Sequence, residues 1–276
     1  MRAAILQSCT GIDPLLSART VVEAIEQAAG EGADMLFTPE MSNVLDRDKA
    51  RAAGTIVAEA DDVVLAASRE AAAKAGLWLH IGSLAVKAES GTAPYANRGF
   101  VIDDTGAIRA RYDKIHLFDV DLPTGESWRE SNSYVPGAKA VAVDTPGGRL
   151  GLSVCYDLRF PDLYYALSDA GATMLAIPAA FTVPTGKAHW HVLQRARAIE
   201  SAAFVIAAGQ AGHHADGRDT YGHSLVIDPW GNVLLDMGEG VGLAYAEIDS
   251  AKVAEARGRI PVLAHRRPIG AVEVAA

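Results

Sequence analysis

Short apolar runs alternate with amphipathic stretches from one end of the chain to the other. Residues 2–7 (RAAILQ), 35–40 (MLFTPE) and 78–86 (WLHIGSLAV) read as strands, short and rich in aliphatic residues. Residues 21–33 (VVEAIEQAAGEGA) and 61–76 (DDVVLAASREAAAKAG) space their apolar positions at helical intervals, the second running into Gly76. The segment 98–114 folds back on itself at Asp-Asp-Thr-Gly (103–106), the signal of a hairpin. Downstream, GRLGLSVCYD (148–157) is an apolar strand ending at Cys155, followed by a helix over 162–172. A strand at 174–180, a helix at 187–203 and further strands at 204–210, 223–236 and 242–249 complete the series, with Asp-Pro-Trp-Gly (228–231) as a turn. Such alternation predicts an α/β protein whose strands are covered by helices. The hairpin-like pairs at 98–113 and 223–248 make its sheets mixed. No Ser/Gly/Pro linker, repeat or compositional break divides residues 1–276, which predicts a single domain. The polar segment 115–137 is long for a connection and carries aromatics and acids, which predicts an ordered loop at a functional site.

Composition narrows the class. With 276 residues, half of them hydrophobic, the chain can build its own core without disulfides or a structural metal. A net charge of −9 excludes a general nucleic-acid binder, which needs a basic surface. The only basic cluster (Arg257, Arg259, Arg266 and Arg267) sits in a tail beside Pro261 and Pro268, where a solvated or subunit-contacting role is expected. Two cysteines, Cys9 and Cys155, make no disulfide framework and favour a reducing, cytoplasmic setting. The opening segment is too short in apolar residues for a signal peptide, and no stretch has the length of a membrane span.

Candidate chemistry lies where strands end. Cys155 falls between an apolar strand and a helix, the edge at which α/β proteins build sites. A helix start there would lower the thiol pKa, and the Tyr156 N–H could hold an oxyanion. A buried free cysteine acting as a small hydrophobe is the competing reading. Cys9 has no comparable context and reads as a packing residue. Glu40 closes the run MLFTP, where burial would raise its pKa and make it a base near neutrality, or where it simply caps or pairs. Lys114 ends the hairpin, either solvated or aimed at a substrate carbonyl. The eight histidines form no zinc spacing: His189 and His191 point to different helix faces, His213 and His214 share a Gly-rich loop, and His80, His116, His223 and His265 stand alone. Neither a metal nor a cofactor is expected.

Taken in order, Phe37-Thr38-Pro39-Glu40, Tyr112-Asp113-Lys114-Ile115-His116-Leu117-Phe118 and Gly151 through Pro161, which contains Cys155-Tyr156-Asp157, resemble the nitrilase superfamily of carbon–nitrogen hydrolases. The resemblance covers essentially the whole chain. ESNSYVPG (130–137), GKAHWHVLQRARAIES (186–201) and YGHSLVIDPWG (221–231) are similar to blocks of that superfamily's Nit group of amidases.

The resemblance implies a four-layer α-β-β-α sandwich of two mixed sheets and a homodimer or larger oligomer. The helix at 187–203 and the C-terminal tail would lie at subunit contacts. It implies a Glu40–Lys114–Cys155 triad, with Glu130 rather than Glu126 as second glutamate. Cys155 would attack an amide, Glu40 would take and return protons, and Lys114 with the Tyr156 N–H would hold the oxyanion. A thioester would form and then be hydrolysed, giving acid plus ammonia. The implied substrate is a small linear amide carrying carboxylates, with deaminated glutathione favoured over 2-oxoglutaramate. Phe181 and Thr182 would line the pocket. Arg159 would pair a substrate carboxylate or instead bridge Asp157 or Asp162. A non-catalytic nitrilase-like binding subunit is the alternative of a different class.

Overall fold

The computed structural model describes residues 1–122 and 125–275. Its first half runs β1 (Arg2–Gln7), α1 (Pro14–Gly30), β2 (Met35–Phe37), α2 (Lys49–Thr55), α3 (Val63–Ala75), β3 (Trp78–Lys87), β4 (Tyr95–Ile102) and β5 (Ile108–Asp113). A small ribbon, β6 (Asp119–Asp121) and β7 (Ser127–Arg129), precedes β8 (Ala142–Thr145), β9 (Gly148–Leu152), α4 (Pro161–Asp169) and β10 (Met174–Ala176). Then follow α5 (Val183–Ser201), β11 (Phe204–Ala207), β12 (Ala211–His213), β13 (Asp219–Tyr221), β14 (Leu225–Ile227), β15 (Val233–Asp236), β16 (Gly242–Glu247), α6 (Ser250–Arg259) and α7 (Val262–His265).

Two six-stranded mixed sheets carry the architecture, ordered β16-β1-β2-β3-β4-β5 and β15-β14-β11-β10-β9-β8. Strand alternation sends Ala3, Ile5, Met35 and Phe37 into the core shared with Leu150, Leu152, Met174 and Phe204 of the second sheet. Their neighbours Ala4, Leu6 and Leu36 face the other way, onto α1 and α3. α4 and α5 cover the outer face of the second sheet, giving the expected four layers.

Several element limits differ from the sequence reading, each for a local reason. α1 begins seven residues earlier, because Asp13 caps it by accepting from the Leu15 N–H and Pro14 occupies the first turn. α5 likewise starts at Val183, with Pro184 in its first turn. β2 ends at Phe37 rather than at residue 40, since Pro39 has no N–H for a ladder. The pair expected over 223–248 divides: β14 and β15 form a hairpin, whereas β16 crosses to the first sheet and pairs with β1. The loop 115–137 contains the β6–β7 ribbon and a 3-10 turn at Glu130–Asn132.

One glycine fixes how closely the sheets approach at the future site. A Cβ on Gly82 of β3 would stand 2.2 Å from the Thr38 carbonyl oxygen and 2.4 Å from Pro178 Cβ. Only hydrogen at that position lets the turn after β2 and the segment after β10 come together.

Candidate active site

Four acidic, basic and thiol side chains converge where those segments meet. Glu40 stands in the turn after β2, whose backbone is held by Gln210 Nε2 on the Glu40 carbonyl at 2.9 Å and by the Met41 N–H on Ser83 Oγ at 2.9 Å. Met41 itself has φ +57, a strained value for a side-chain-bearing residue. Lys114 follows β5 immediately, and its side chain is only 2% exposed. Its ammonium donates to Glu40 Oε1 at 3.0 Å and to Glu130 Oε2 at 2.8 Å. Glu130 comes from the long loop and also accepts from the Phe118 N–H at 2.7 Å. Of the two glutamates weighed from the sequence, Glu130 is the one at Lys114; Glu126 is exposed and forms part of the cavity rim.

Cys155 opens a short 3-10 turn, Cys155–Arg159, and is buried. Its φ of +51 is a left-handed conformation, held by the Cys155 N–H donating to the Pro178 carbonyl at 2.8 Å. Such strain persists only where surrounding bonds over-determine it, and it concentrates at functional sites. The sulfur borders the Glu40 carboxylate and the Lys114 ammonium, each of which influences its ionisation. Among the described residues, no hydrogen bond leaves the Tyr156 N–H, so it can serve as a donor to a bound oxyanion.

The protonation states differ from those expected. Burial pushes the Glu40 carboxyl up, but the Lys114 charge and hydrogen bonds from Cys155, Lys114 and Asn97 outweigh it and leave the carboxyl below its ordinary value. Burial and the Glu40 charge together push the Cys155 thiol well above its ordinary value, against the opposing pull of Lys114. A five-residue 3-10 turn gives no helix dipole large enough to reverse this. Burial disfavours a charged Lys114, yet Glu130 and Glu40 raise it well above normal, so it stays an ammonium. The resting cluster is therefore a neutral thiol beside a carboxylate clamped to a cation.

Three residues with structural roles here escaped the sequence reading. Asn97, on β4, donates to Glu40 at 2.9 Å and to Glu130 at 3.2 Å, bridging the two carboxylates. An amide in the apolar strand YANRGFVI was the available signal. Asp157 is wholly buried and accepts from the Val154 N–H at 2.9 Å, Tyr112 OH at 2.7 Å and the His116 N–H at 3.0 Å. It thereby ties the cysteine turn to the segment that delivers Lys114. Arg197, on α5, supports the same turn by donating twice to the Leu158 carbonyl, at 2.9 and 2.8 Å.

The cluster lies at the base of a cavity of about 570 Å³. Phe181 and Thr182 line it, with the Thr182 hydroxyl 2.7 Å from that of Thr185. Arg159 bridges neither Asp157 nor Asp162: its guanidinium contacts His189 Nδ1 at 3.2 Å and packs over the Tyr156 and Phe181 rings, outside the lining. Cys9 is exposed rather than packed, its sulfur 3.4 Å from the His213 carbonyl oxygen. It borders a separate hollow of about 250 Å³ that contains none of the four converging residues. Among the described residues, His191, His223 and Asp236 alone have metal-binding proximity, within 4.8 Å of one another, and they are not part of the cavity lining.

With this geometry in view, the carbon–nitrogen hydrolase family profile matches residues 2–258. The chain belongs to the carbon–nitrogen hydrolase family. It is 40% identical over 268 residues to the deaminated glutathione amidase of Homo sapiens, spanning 96% of this chain and 82% of that protein. It is 37% identical to the Yersinia enterocolitica protein of the same name, over 96% and 92% of the respective chains. Among solved structures, the C. elegans NitFhit protein superposes with a TM-score of 0.89 at 39% identity. That superposition covers 96% of this chain and 65% of NitFhit, just under two thirds of its length. No helix of the described residues is long and apolar enough to cross a membrane.

Proposed function

We propose that this protein is a thiol-dependent amidase, that deaminated glutathione is its substrate, and that residues 1–276 act as one hydrolase domain. The observation that carries the chemistry is the buried cluster of Cys155, Glu40 and Lys114 at the base of one cavity. The substrate rests on the names of relatives at about 40% identity.

Cys155 attacks the amide carbon as Glu40 accepts the thiol proton. Because the thiol is held neutral and Glu40 is a weak base, transfer accompanies carbon–sulfur bond formation rather than preceding it. The oxyanion is held by the Lys114 ammonium and the Tyr156 N–H. Glu40 then returns its proton to the departing nitrogen, leaving a thioester and a free amine. Water, deprotonated by Glu40, attacks the thioester; collapse releases the acid, and the proton restores the thiol. Glu130 and Asn97 hold Lys114 and Glu40 in register throughout. A primary amide releases ammonia in this scheme. Deaminated glutathione, a tripeptide analogue, releases an amine instead, so the assay must read both.

The decisive experiment compares turnover of deaminated glutathione with that of 2-oxoglutaramate, using wild type and Cys155→Ala. Preference for deaminated glutathione, lost in Cys155→Ala, is the expected result. Preference for 2-oxoglutaramate reassigns the substrate to that of an omega-amidase. Undiminished turnover without Cys155 defeats the mechanism, and no turnover of any amide favours a binding subunit. A homodimer or larger oligomer is supported by exposed Val192 and Ile199 on α5, with Trp230 and Leu234 also exposed. A reducing cytoplasmic setting is supported by the need to keep the Cys155 thiol free.

A further inference from the structure

We propose that Arg47, seated beside Trp128 and Arg218, is a carboxylate-binding residue that gives the cavity its preference for anionic amides. The proposal deepens the amidase reading and rests on it.

Arg159, which the sequence leaves open between a substrate carboxylate and a structural bridge, lies outside the cavity lining. Arg47, Arg218 and Trp128 all line the cavity that holds Cys155. The two guanidinium carbons stand 5.6 and 5.1 Å from the Trp128 ring centroid, so the indole spaces both cations against one wall. Asp216 fixes them from behind. Its buried carboxylate accepts from Arg218 Nε at 2.6 Å and from the Arg47 backbone N–H at 2.9 Å. Burial pushes the Asp216 carboxyl up, but Arg218 outweighs that and holds it below its ordinary value, ionised at neutral pH.

The difference between the two arginines decides which is available. Arg218 is 17% exposed and spends its guanidinium on Asp216 at 2.6 Å. Arg47 is 45% exposed, and its guanidinium is 4.0 Å from the same carboxylate, beyond hydrogen-bond range. Two cations thus share one anion, and the Arg47 guanidinium makes no hydrogen bond among the described residues.

Most of the other ionisable groups of the wall have partners of their own. Asp46 is taken by Arg51 in two bonds at 2.6 and 2.8 Å, and Asp219 faces His213 at 2.9 Å. Arg129 is held by both oxygens of Asp121 at 2.9 Å. Lys49 has no ion-pair partner among the described residues and adds to the positive potential, whereas the exposed Glu126 on the rim opposes it. Trp128 Nε1, in the same wall, has no hydrogen-bond partner among the described residues. The forked Arg47 guanidinium is a matched donor for a carboxylate.

The test uses full-length Cys155→Ala protein, so that binding is read without turnover. Three probes are titrated by calorimetry: deaminated glutathione, its glycine carboxamide, and the analogue whose keto-acid carboxylate is a carboxamide. In the Arg47-intact protein, deaminated glutathione should bind about tenfold tighter than one of the two carboxamides, the scale of a charge-assisted contact. That carboxamide identifies which carboxylate Arg47 holds. Adding Arg47→Ala should abolish this preference and leave the affinity for that carboxamide unchanged. A preference that survives Arg47→Ala, or equal binding of all three probes with Arg47 present, overturns the proposal. Arg47→Lys separates charge from fork geometry: it should restore part of the preference, and restoring none contradicts a charge contact. Failure of the amidase reading shows differently, as absence of turnover in protein with Cys155 and Arg47 both intact.

Discussion

Replacing Lys114 with Met removes the ammonium shared by the buried Glu40 and the partly buried Glu130 carboxylates. At 3.0 and 2.8 Å, each ion pair is worth roughly 5–6 kcal/mol of Coulomb attraction at an effective dielectric of about 20, before desolvation. Desolvation of the lysine offsets much of this, and breaking a buried pair from one side costs about 3–5 kcal/mol. Without its cation, Glu40 is governed by burial, which raises its carboxyl. The pH dependence follows from these directions. In wild type the depressed Glu40 contributes stability that is complete above the unfolded carboxyl value and is lost as pH falls through the lower folded value. In the variant the raised carboxyl reverses the sign, so acidification relieves the strain instead. Urea unfolding at pH 7.5 and pH 5.5 should show a deficit of about 3–5 kcal/mol that shrinks toward acid. Amidase activity should fall roughly 100- to 1000-fold as one oxyanion donor disappears. A deficit below about 1 kcal/mol at pH 7.5, the range of an exposed ion pair, would refute this electrostatic account. So would a deficit that is the same at both pH values.

Asp157→Ala should cost roughly 3 kcal/mol, because it strands buried donors on Val154, Tyr112 and His116; a change under about 0.5 kcal/mol in urea unfolding contradicts the tie. Gly82→Ala should force the Thr38–Glu40 turn off Pro178 and lower kcat/KM by about tenfold or more, with about 1–3 kcal/mol of overpacking; a silent substitution means the close approach is dispensable. The kcat/KM profile should lose activity only as pH falls through a carboxyl below the ordinary range, since Glu40 is depressed and Cys155 stays protonated. An activating limb near the ordinary thiol value of about 8.5 would show that a free thiolate is the reactive form.

Much of this arrangement is legible in the amino-acid sequence. Strand ends at Glu40, Lys114 and Cys155 stand in order along the chain, the alternation of apolar runs predicts strands covered by helices, and the family resemblance implies the two packed sheets. What escaped was tertiary in origin. Asn97 looked like one polar residue in an apolar strand, and only the pairing of β4 with β5 brings it between Glu40 and Glu130. The sign of the pKa shifts was equally hidden. Burial of Glu40 was foreseeable, but its reversal required the Lys114 ammonium at 3.0 Å, a contact between residues 74 positions apart. Arg159 shows the opposite case, a residue at the end of the cysteine turn whose guanidinium packs on aromatic rings instead of lining the cavity. Arg47 carried no sequence signal at all, since it precedes a short helix, α2, that the apolar pattern did not reveal.

The mechanism stands on acylation of Cys155 by the amide substrate. Protein quenched in acid during turnover of deaminated glutathione and digested for mass spectrometry tests it most directly. A 2-oxoglutaryl thioester is expected on the peptide containing Cys155, none on the peptide containing Cys9, and none in Cys155→Ala. An acyl group on any other residue, or full turnover by Cys155→Ala, would contradict it.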